Sequence, residues 1–89
     1  MVEQEVQVIN RLGLHARAAA KLVQLLGSFR SKATLIGRGR EVNGKSIMGV
    51  MLLAAAQGTA LTVRLEGDDE EEAMRAVADL FARYFDEGG

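Results

Sequence analysis

The fold is set by one stretch of this chain, Leu61-Thr62-Val63-Arg64-Leu65-Glu66-Gly67-Asp68-Asp69. Its first six residues alternate between apolar and polar side chains, which predicts a half-buried β-strand. The glycine and two aspartates then predict a turn into a helix, in which Asp69 and Glu72 have the spacing of a capping box. The predicted buried stripe of this last helix consists of Met74, Val77, Ala78, Phe81 and Phe85.

Earlier segments predict three more strands and two more helices. In chain order these are a strand around Val6 and Val8, a helix over 16–26 that stops at Gly27, strands over 32–37 and 40–43, and a short helix after Ser46. The element order β-α-β-β-α-β-α predicts an α+β fold, an open-faced sandwich with a four-stranded sheet in one layer and three helices on one face of it. We expect a single domain over residues 1–89.

Composition narrows the class of protein. The chain has 89 residues, of which 48% are hydrophobic, so one compact domain with a real core is expected. The absence of cysteine excludes a disulfide framework and a thiolate zinc site, and a single histidine leads us to expect no metal site. No signal peptide or membrane-length apolar run is visible. We therefore expect a cytoplasmic monomer that does not insert into membranes.

The only histidine stands in the stretch Gly13-Leu14-His15-Ala16-Arg17-Ala18-Ala19-Ala20. Four alanines in five positions predict a helix that begins directly after His15. The backbone N–H groups of Ala16, Arg17 and Ala18 would then form a seat for a phosphate group, favoured by the helix dipole. A neutral imidazole is a good nucleophile, so the pattern indicates phosphoryl transfer through His15, with Arg17 stabilising the phosphate. The alternative interpretation is that His15 is an ordinary polar residue at the helix N-cap and that Arg17 is a surface charge.

Charge is divided along the chain. No acidic residue occurs between Val6 and Arg40, whereas nine occur between Glu66 and Glu87. Solvated charge on two faces would account for this division. The alternative, which we favour, is a positive region around His15 that attracts an anionic partner. No carboxylate lies near His15 in sequence to compete for it.

A second motif is Lys45-Ser46-Ile47-Met48-Gly49-Val50-Met51. Ser46 is predicted to cap the short helix, and a phosphate attached there would also meet a helix N-terminus. The apolar residues of this helix serve either the core or a docking surface, since methionine repacks against different partners. We expect Ile47, Met48 and Met51 to be partly exposed and Val50 and Leu53 to be buried.

Both motifs, at this separation and in this element order, resemble the HPr family of histidine-containing phosphocarriers in the bacterial phosphoenolpyruvate-dependent sugar phosphotransferase system. The resemblance implies an antiparallel sheet of order 1-4-2-3, phosphoryl acceptance through Nδ1 of His15, and phosphate stabilisation by Arg17. It implies Enzyme I as donor and sugar-specific enzyme IIA domains as acceptors, with no cofactor. The docking residues that it implies are Ala16, Ala20, Lys21, Gln24, Ile47, Met48 and Met51. The family usually has proline where this chain has Ala18, which puts the transfer rate in question.

For Ser46, the resemblance implies a regulatory site used by an ATP-dependent kinase, with a phosphorylase and a catabolite-control transcription factor as further partners. We expect that the chain is not an enzyme in the turnover sense, because the resemblance implies a phosphocarrier, which is itself the substrate of both transfer steps. One alternative is a mainly regulatory phosphoprotein of the carbon catabolite or nitrogen-related branch. Another is a nucleic-acid-binding module, disfavoured because Phe81, Tyr84 and Phe85 fit the last helix rather than a stacking platform.

Overall fold

A computed structural model describes residues 1–87 of the chain. Its elements are β1 (Val2–Gln7), α1 (Ala16–Gly27), β2 (Lys32–Gly37), β3 (Arg40–Asn43), α2 (Ile47–Leu52), β4 (Ala60–Glu66) and α3 (Glu70–Ala82), followed by a 3₁₀ turn over Tyr84–Asp86. The predicted element order is confirmed, and each predicted helix and strand is present.

The four strands form one antiparallel sheet in the order β1-β4-β2-β3. This confirms the open-faced α+β architecture and the strand order implied by the resemblance. In β4, Leu61, Val63 and Leu65 are buried beneath the helices, whereas Thr62 and Arg64 lie on the open face. The alternation read from the sequence is therefore the alternation between the two faces of the sheet.

The hairpin between β2 and β3 turns on two residues, Arg38 and Gly39, which have φ angles of 51° and 76°. Two consecutive positive φ angles are the mark of a type I′ turn, whose twist matches that of the flanking strands. The predicted turn at this point is confirmed. A Cβ at Gly39 would meet nothing within 4 Å, so this glycine is required only for its backbone conformation.

The start of α3 differs from the prediction, because Asp69 makes no side-chain capping hydrogen bond. Its carboxylate instead accepts from the backbone N–H groups of Arg30 and Ser31, at 2.8 and 3.0 Å, and from the hydroxyl of Ser31 at 2.5 Å. Glu70, not Glu72, reaches back to accept from the N–H of Gly67 at 3.0 Å. The predicted capping box was wrong, because the carboxylate of Asp69 bonds to the loop after α1 and so connects that loop to the start of α3.

The end of α3 also differs. Met74, Val77 and Phe81 are buried as predicted, but Ala78 is only half-buried. Phe85 is buried yet lies beyond the helix, in the turn after it, and Tyr84 is 39% exposed. The helical spacing does not extend to these two residues, because the backbone reverses its handedness at Tyr84.

Candidate functional site

The turn that precedes α1 is held by its own backbone and by the segment that follows α2. The N–H of Gly13 donates to the carbonyl of Asn10 at 3.1 Å, and the N–H of Leu14 donates to the carbonyl of Ala55 at 2.9 Å. Gly13 has a φ of +67°, which favours glycine. Leu14 is buried, so the next residue, His15, is presented from an anchored turn.

His15 is the N-cap of α1, with φ −75° and ψ 179°, and its side chain is 27% exposed. Its Nδ1 accepts a long hydrogen bond of 3.3 Å from the backbone N–H of Arg17. Its Nε2 lies 2.5 Å from Oε2 of Glu87. We assign the tautomer from these partners: Nδ1 faces a donor and so carries the lone pair, whereas Nε2 carries the proton. The ring is thus at the helix start, as predicted.

Glu87 reaches His15 although 72 residues separate the two in sequence. Its other oxygen accepts from Nδ2 of Asn10 at 3.0 Å, and the same amide nitrogen donates to the carbonyl of Gly13 at 2.8 Å. Partial burial acts to raise the pKa of Glu87, but the hydrogen bonds from Asn10 and His15, together with the charge of Lys21, outweigh it. The pKa of this carboxyl is therefore below its usual value, and the group is an anion at neutral pH.

The segment that brings Glu87 to the ring is a left-handed turn. Tyr84, Phe85 and Asp86 have φ angles of 58°, 53° and 62°. The buried ring of Phe85 packs edge-on against Phe81, with 4.8 Å between centroids. The carbonyl of Phe85 accepts a 2.6 Å hydrogen bond from Nζ of Lys21. A buried ring and an ammonium group on α1 therefore hold this turn against the helix.

Arg17 is exposed, and no ion pair to it is found within residues 1–87. It lines a cleft beside the ring together with Arg11, Leu12, Lys21 and Glu87. The cleft joins basic residues from the first half of the chain with two acidic residues from the last turn, since Asp86 also lines it. The division of charge in sequence is therefore not a division in space.

The second motif folds as predicted. Ser46 is the N-cap of α2, and its Oγ accepts a 3.1 Å hydrogen bond from the N–H of Gly49. Val50 and Leu53 are buried, as expected. The exposed fractions of the apolar side chains are 43% for Ile47, 75% for Met48 and 42% for Met51, and Leu52 is also exposed at 58%. These four residues, named here the α2 patch, form an apolar surface beside α1.

A family model described as the PTS HPr component phosphorylation site matches residues 2–83. This chain belongs to the HPr family of phosphocarrier proteins. The phosphocarrier protein HPr of Xylella fastidiosa (strain Temecula1) is 60% identical over 87 residues, which cover 98% of each chain. The HPr of Neisseria meningitidis serogroup A is 50% identical over 88 residues, 99% of each chain. The crystal structure of HPr-C-His from Thermoanaerobacter tengcongensis matches with a TM-score of 0.94 at 44% identity, covering 98% of both chains.

The other predicted docking residues of this HPr-family chain lie on α1. Ala16 and Gln24 are exposed, whereas Ala20 and Lys21 are half-buried. The ammonium group of Lys21 is bonded to the Phe85 carbonyl, a contact that the sequence did not predict. Ala18, where the family usually has proline, is fully buried in the first turn of α1.

Sequence reasoning missed Asn10 and Glu87 as members of the HPr-type site. Asn10 stands in a loop three residues before Gly13, a position at which asparagine is ordinarily a turn residue. Glu87 belongs to an acidic run that is typical of a solvated helix end. Neither residue carries a local signal, because the contact depends on how the last turn packs.

Within residues 1–87, no helix has the length and apolar character needed to cross a membrane. In the same part of the chain, no group of three or more histidine, cysteine, aspartate or glutamate side chains is arranged to hold a metal ion.

Proposed function

We propose that this chain accepts a phosphoryl group on Nδ1 of His15 from phospho-Enzyme I and passes it to sugar-specific enzyme IIA domains. The observation that supports this best is the position of the ring. His15 caps α1 with its Nδ1 lone pair directed toward the helix start. Phosphate groups bind well at such a position, because several backbone N–H groups and the positive end of the dipole meet there.

The nucleophile of the transfer step is the imidazole of His15. The Nδ1 lone pair attacks phosphorus, and the N–P bond forms while the bond from phosphorus to its donor atom breaks, leaving that electron pair with Enzyme I. The long bond from the Arg17 N–H to Nδ1 is weak at 3.3 Å, so this donor can turn to a phosphoryl oxygen instead. In the second step a nucleophile of enzyme IIA attacks phosphorus, and the N–P bond to His15 breaks and returns its electron pair to Nδ1. The protein is the substrate of both steps and so is not a turnover enzyme.

The remaining first-turn groups would stabilise the phosphoryl group after transfer. The N–H groups of Ala16 and Ala18 belong to the same turn, and such groups have no acceptor within their own helix. Arg17 can add a charge-assisted hydrogen bond from its exposed guanidinium group. Because Ala18 has an N–H that proline lacks, this chain offers the phosphate one more donor than the usual family pattern.

Both partners are proposed to dock on the surface around His15. The α2 patch would form the apolar centre of this surface, with Ala16, Ala20, Lys21 and Gln24 of α1 beside it. An apolar centre with charged residues at its edge is the usual anatomy of a protein interface, and methionines let one surface fit several partners. We propose that the carrier acts as a monomer, without a cofactor, in the cytoplasm.

Ser46 supports a second, regulatory role. Its Oγ sits at the start of α2, next to the α2 patch, where an added phosphate would keep a favourable contact with the helix N-terminus. The same phosphate would place charge beside an apolar docking surface and weaken complexes formed there. We propose this site for an ATP-dependent kinase and a phosphorylase, and a catabolite-control transcription factor as a reader of the modified surface.

The test is incubation with Enzyme I and phosphoenolpyruvate, followed by mass measurement without acid treatment. We expect one acid-labile phosphate on the wild type and on Ser46→Ala, and none on His15→Ala. A wild type that stays unmodified would refute the transfer role. Acid-stable phosphate from ATP and the kinase, absent in Ser46→Ala, would support regulation; if transfer through His15 were then negligible, regulation would be the main function.

A further inference from the structure

We propose that Glu87 is a positioning residue for His15: it accepts the Nε2 proton, fixes the orientation and tautomer of the ring, and leaves the Nδ1 lone pair free to attack phosphorus. This inference rests on the proposed phosphoryl transfer through His15. It adds a residue from the far end of the chain to a site otherwise made by the turn before α1 and by α1 itself.

The first support is the way the carboxylate is held. Its side chain is only 10% exposed, and each oxygen has its own donor. Oε2 faces Nε2 of His15 at 2.5 Å, and Oε1 accepts from Asn10 at 3.0 Å. Because Asn10 is fully buried and also bonded to the Gly13 carbonyl, the carboxylate is fixed to the same turn that presents the ring.

The second support is the backbone that carries Glu87. Three consecutive residues other than glycine have left-handed φ angles, and each such residue costs roughly 1 kcal/mol or more. This conformation persists only because other contacts hold it. The contacts are the buried ring of Phe85, the bond from Lys21 to the Phe85 carbonyl, and the bonds from Glu87 to the ring and to Asn10. The strained turn thus places the carboxylate of Glu87 next to the imidazole of His15.

The contact between Glu87 and His15 has a role before phosphoryl transfer and another during it. Before transfer, the acceptor at Nε2 selects, of the two neutral tautomers, the one in which Nδ1 has the lone pair, which is the form that attacks. During the attack the ring becomes positively charged, since Nδ1 gains a bond to phosphorus while Nε2 keeps its proton. The carboxylate of Glu87 partners that charge, as the carboxylate of a catalytic triad partners its imidazolium.

The experiment combines nitrogen-15 NMR of the histidine ring, recorded at alkaline pH, with the initial rate of phosphorylation by Enzyme I. The variants are Glu87→Ala, which removes both acceptors, and Glu87→Gln, which replaces one acceptor oxygen with an N–H₂ donor. The matched control is Asp86→Asn, in the same turn, whose carboxylate pairs with Arg83 rather than with His15.

In the wild type and in Asp86→Asn, we expect ring nitrogen shifts that place the proton predominantly on Nε2. In both Glu87 variants we expect this bias to weaken and phosphorylation to slow by about tenfold, as when a metal-binding histidine loses the hydrogen-bond partner that orients it. A merely structural role would lower stability without moving the tautomer, so the NMR readout separates the two.

An unchanged tautomer in Glu87→Ala, or transfer that is as fast or faster in both Glu87 variants, would overturn the inference. Failure of the proposed function looks different: the wild type would take no phosphate from Enzyme I at all. The tautomer measurement needs no phosphoryl donor. It therefore tests whether Glu87 orients the ring of His15 whether or not the wild type takes phosphate from Enzyme I.

Discussion

Gly13 and Ala55 approach so closely through their backbones that no side chain fits between them. A Cβ on Gly13 would lie 2.5 Å from the carbonyl oxygen of Ala55 and 3.0 Å from Cα of Ala56. The neighbouring N–H of Leu14 donates to that same oxygen at 2.9 Å. The turn that presents His15 is therefore built directly on the segment that follows α2, just beyond the second motif.

Replacing Gly13 should disturb both stability and the site. Gly13→Ala combines the left-handed φ penalty of about 1 kcal/mol with a backbone clash, so we expect a total loss of about 2–3 kcal/mol in the free energy of unfolding. Denaturant unfolding measures the loss, and the rate of His15 phosphorylation should fall with it. The matched control is Gly39→Ala, which has a similar positive φ but open space around its Cβ. Equal losses in the two variants would contradict the role of the clash.

Asp69 makes the protein sensitive to acid. The hydroxyl of Ser31, followed by the backbone N–H of Arg30, lowers the pKa of Asp69 below its ordinary value of 3.8. A carboxylate whose pKa is lower in the folded state stabilises the fold above the ordinary pKa and loses that contribution as the pH falls through the depressed value. We therefore expect Asp69→Asn to have a lower Tm than the wild type at neutral pH, with the gap closing below about pH 4.

Thermal unfolding of both proteins between neutral and strongly acidic pH would check this prediction. The control is Asp68→Asn, at the exposed neighbouring position, which should follow the wild-type curve at every pH. Glu70 also has a lowered pKa, caused chiefly by the N–H of Gly67 and then by the N-terminal amine, so the wild type and both variants share some acid loss. A gap between wild type and Asp69→Asn that did not depend on pH would contradict the carboxylate mechanism.

The contribution of Ser46 to stability as a helix cap can be measured separately from the effect of a negative charge at this position. Ser46→Ala removes the acceptor of the Gly49 N–H and should lower the free energy of unfolding by about 1 kcal/mol. Ser46→Asp keeps an acceptor at the N-cap and should stay within a few tenths of a kcal/mol of the wild type. Chemical denaturation of the three proteins measures this, and equal destabilisation by both variants would rule out the capping bond as a source of stability.

Met48 should matter for docking and not for folding, because 75% of its surface is exposed. Met48→Glu places a charge at the centre of the α2 patch, so we expect the KM of Enzyme I for this protein to rise about tenfold while the Tm is unchanged. Gln7→Glu adds the same charge at an exposed position of β1, next to the buried Val6 and so on the opposite face. Gln7→Glu should leave the transfer kinetics unchanged. If both variants raised the KM equally, Enzyme I would not dock on the α2 patch.

The elements that the sequence predicted well are those whose signal is local. Strand β4 alternates residue by residue, Ser46 stands where a helix cap is needed, and the alanines after His15 fix the start of α1. The interior and surface sides of α2 were also predicted, since Val50 is buried and Met48 is exposed. Local periodicity and capping decide these features, so one sequence was enough.

The failures concern side chains whose partners are distant in sequence. Asp69 fits a capping box by spacing, yet its carboxylate is taken by Ser31, 38 residues away. Lys21 reads as a solvated charge, yet it bonds to the carbonyl of Phe85. In both cases a polar group had a local option and a tertiary one, and packing selected the tertiary one. Glu87 belongs to this class, which is why the most specific contact of the ring could not be predicted.

The left-handed turn over Tyr84–Asp86 ties the position of the His15 ring to a strained piece of backbone. The Phe85 ring, the Lys21 bond and the bonds of Glu87 hold that turn, and a strained turn of this kind opens locally before a sheet melts. Moderate warming should therefore free the imidazole from its carboxylate while the four strands remain intact. The temperature range over which the carrier works well is then narrower than the range over which it stays folded.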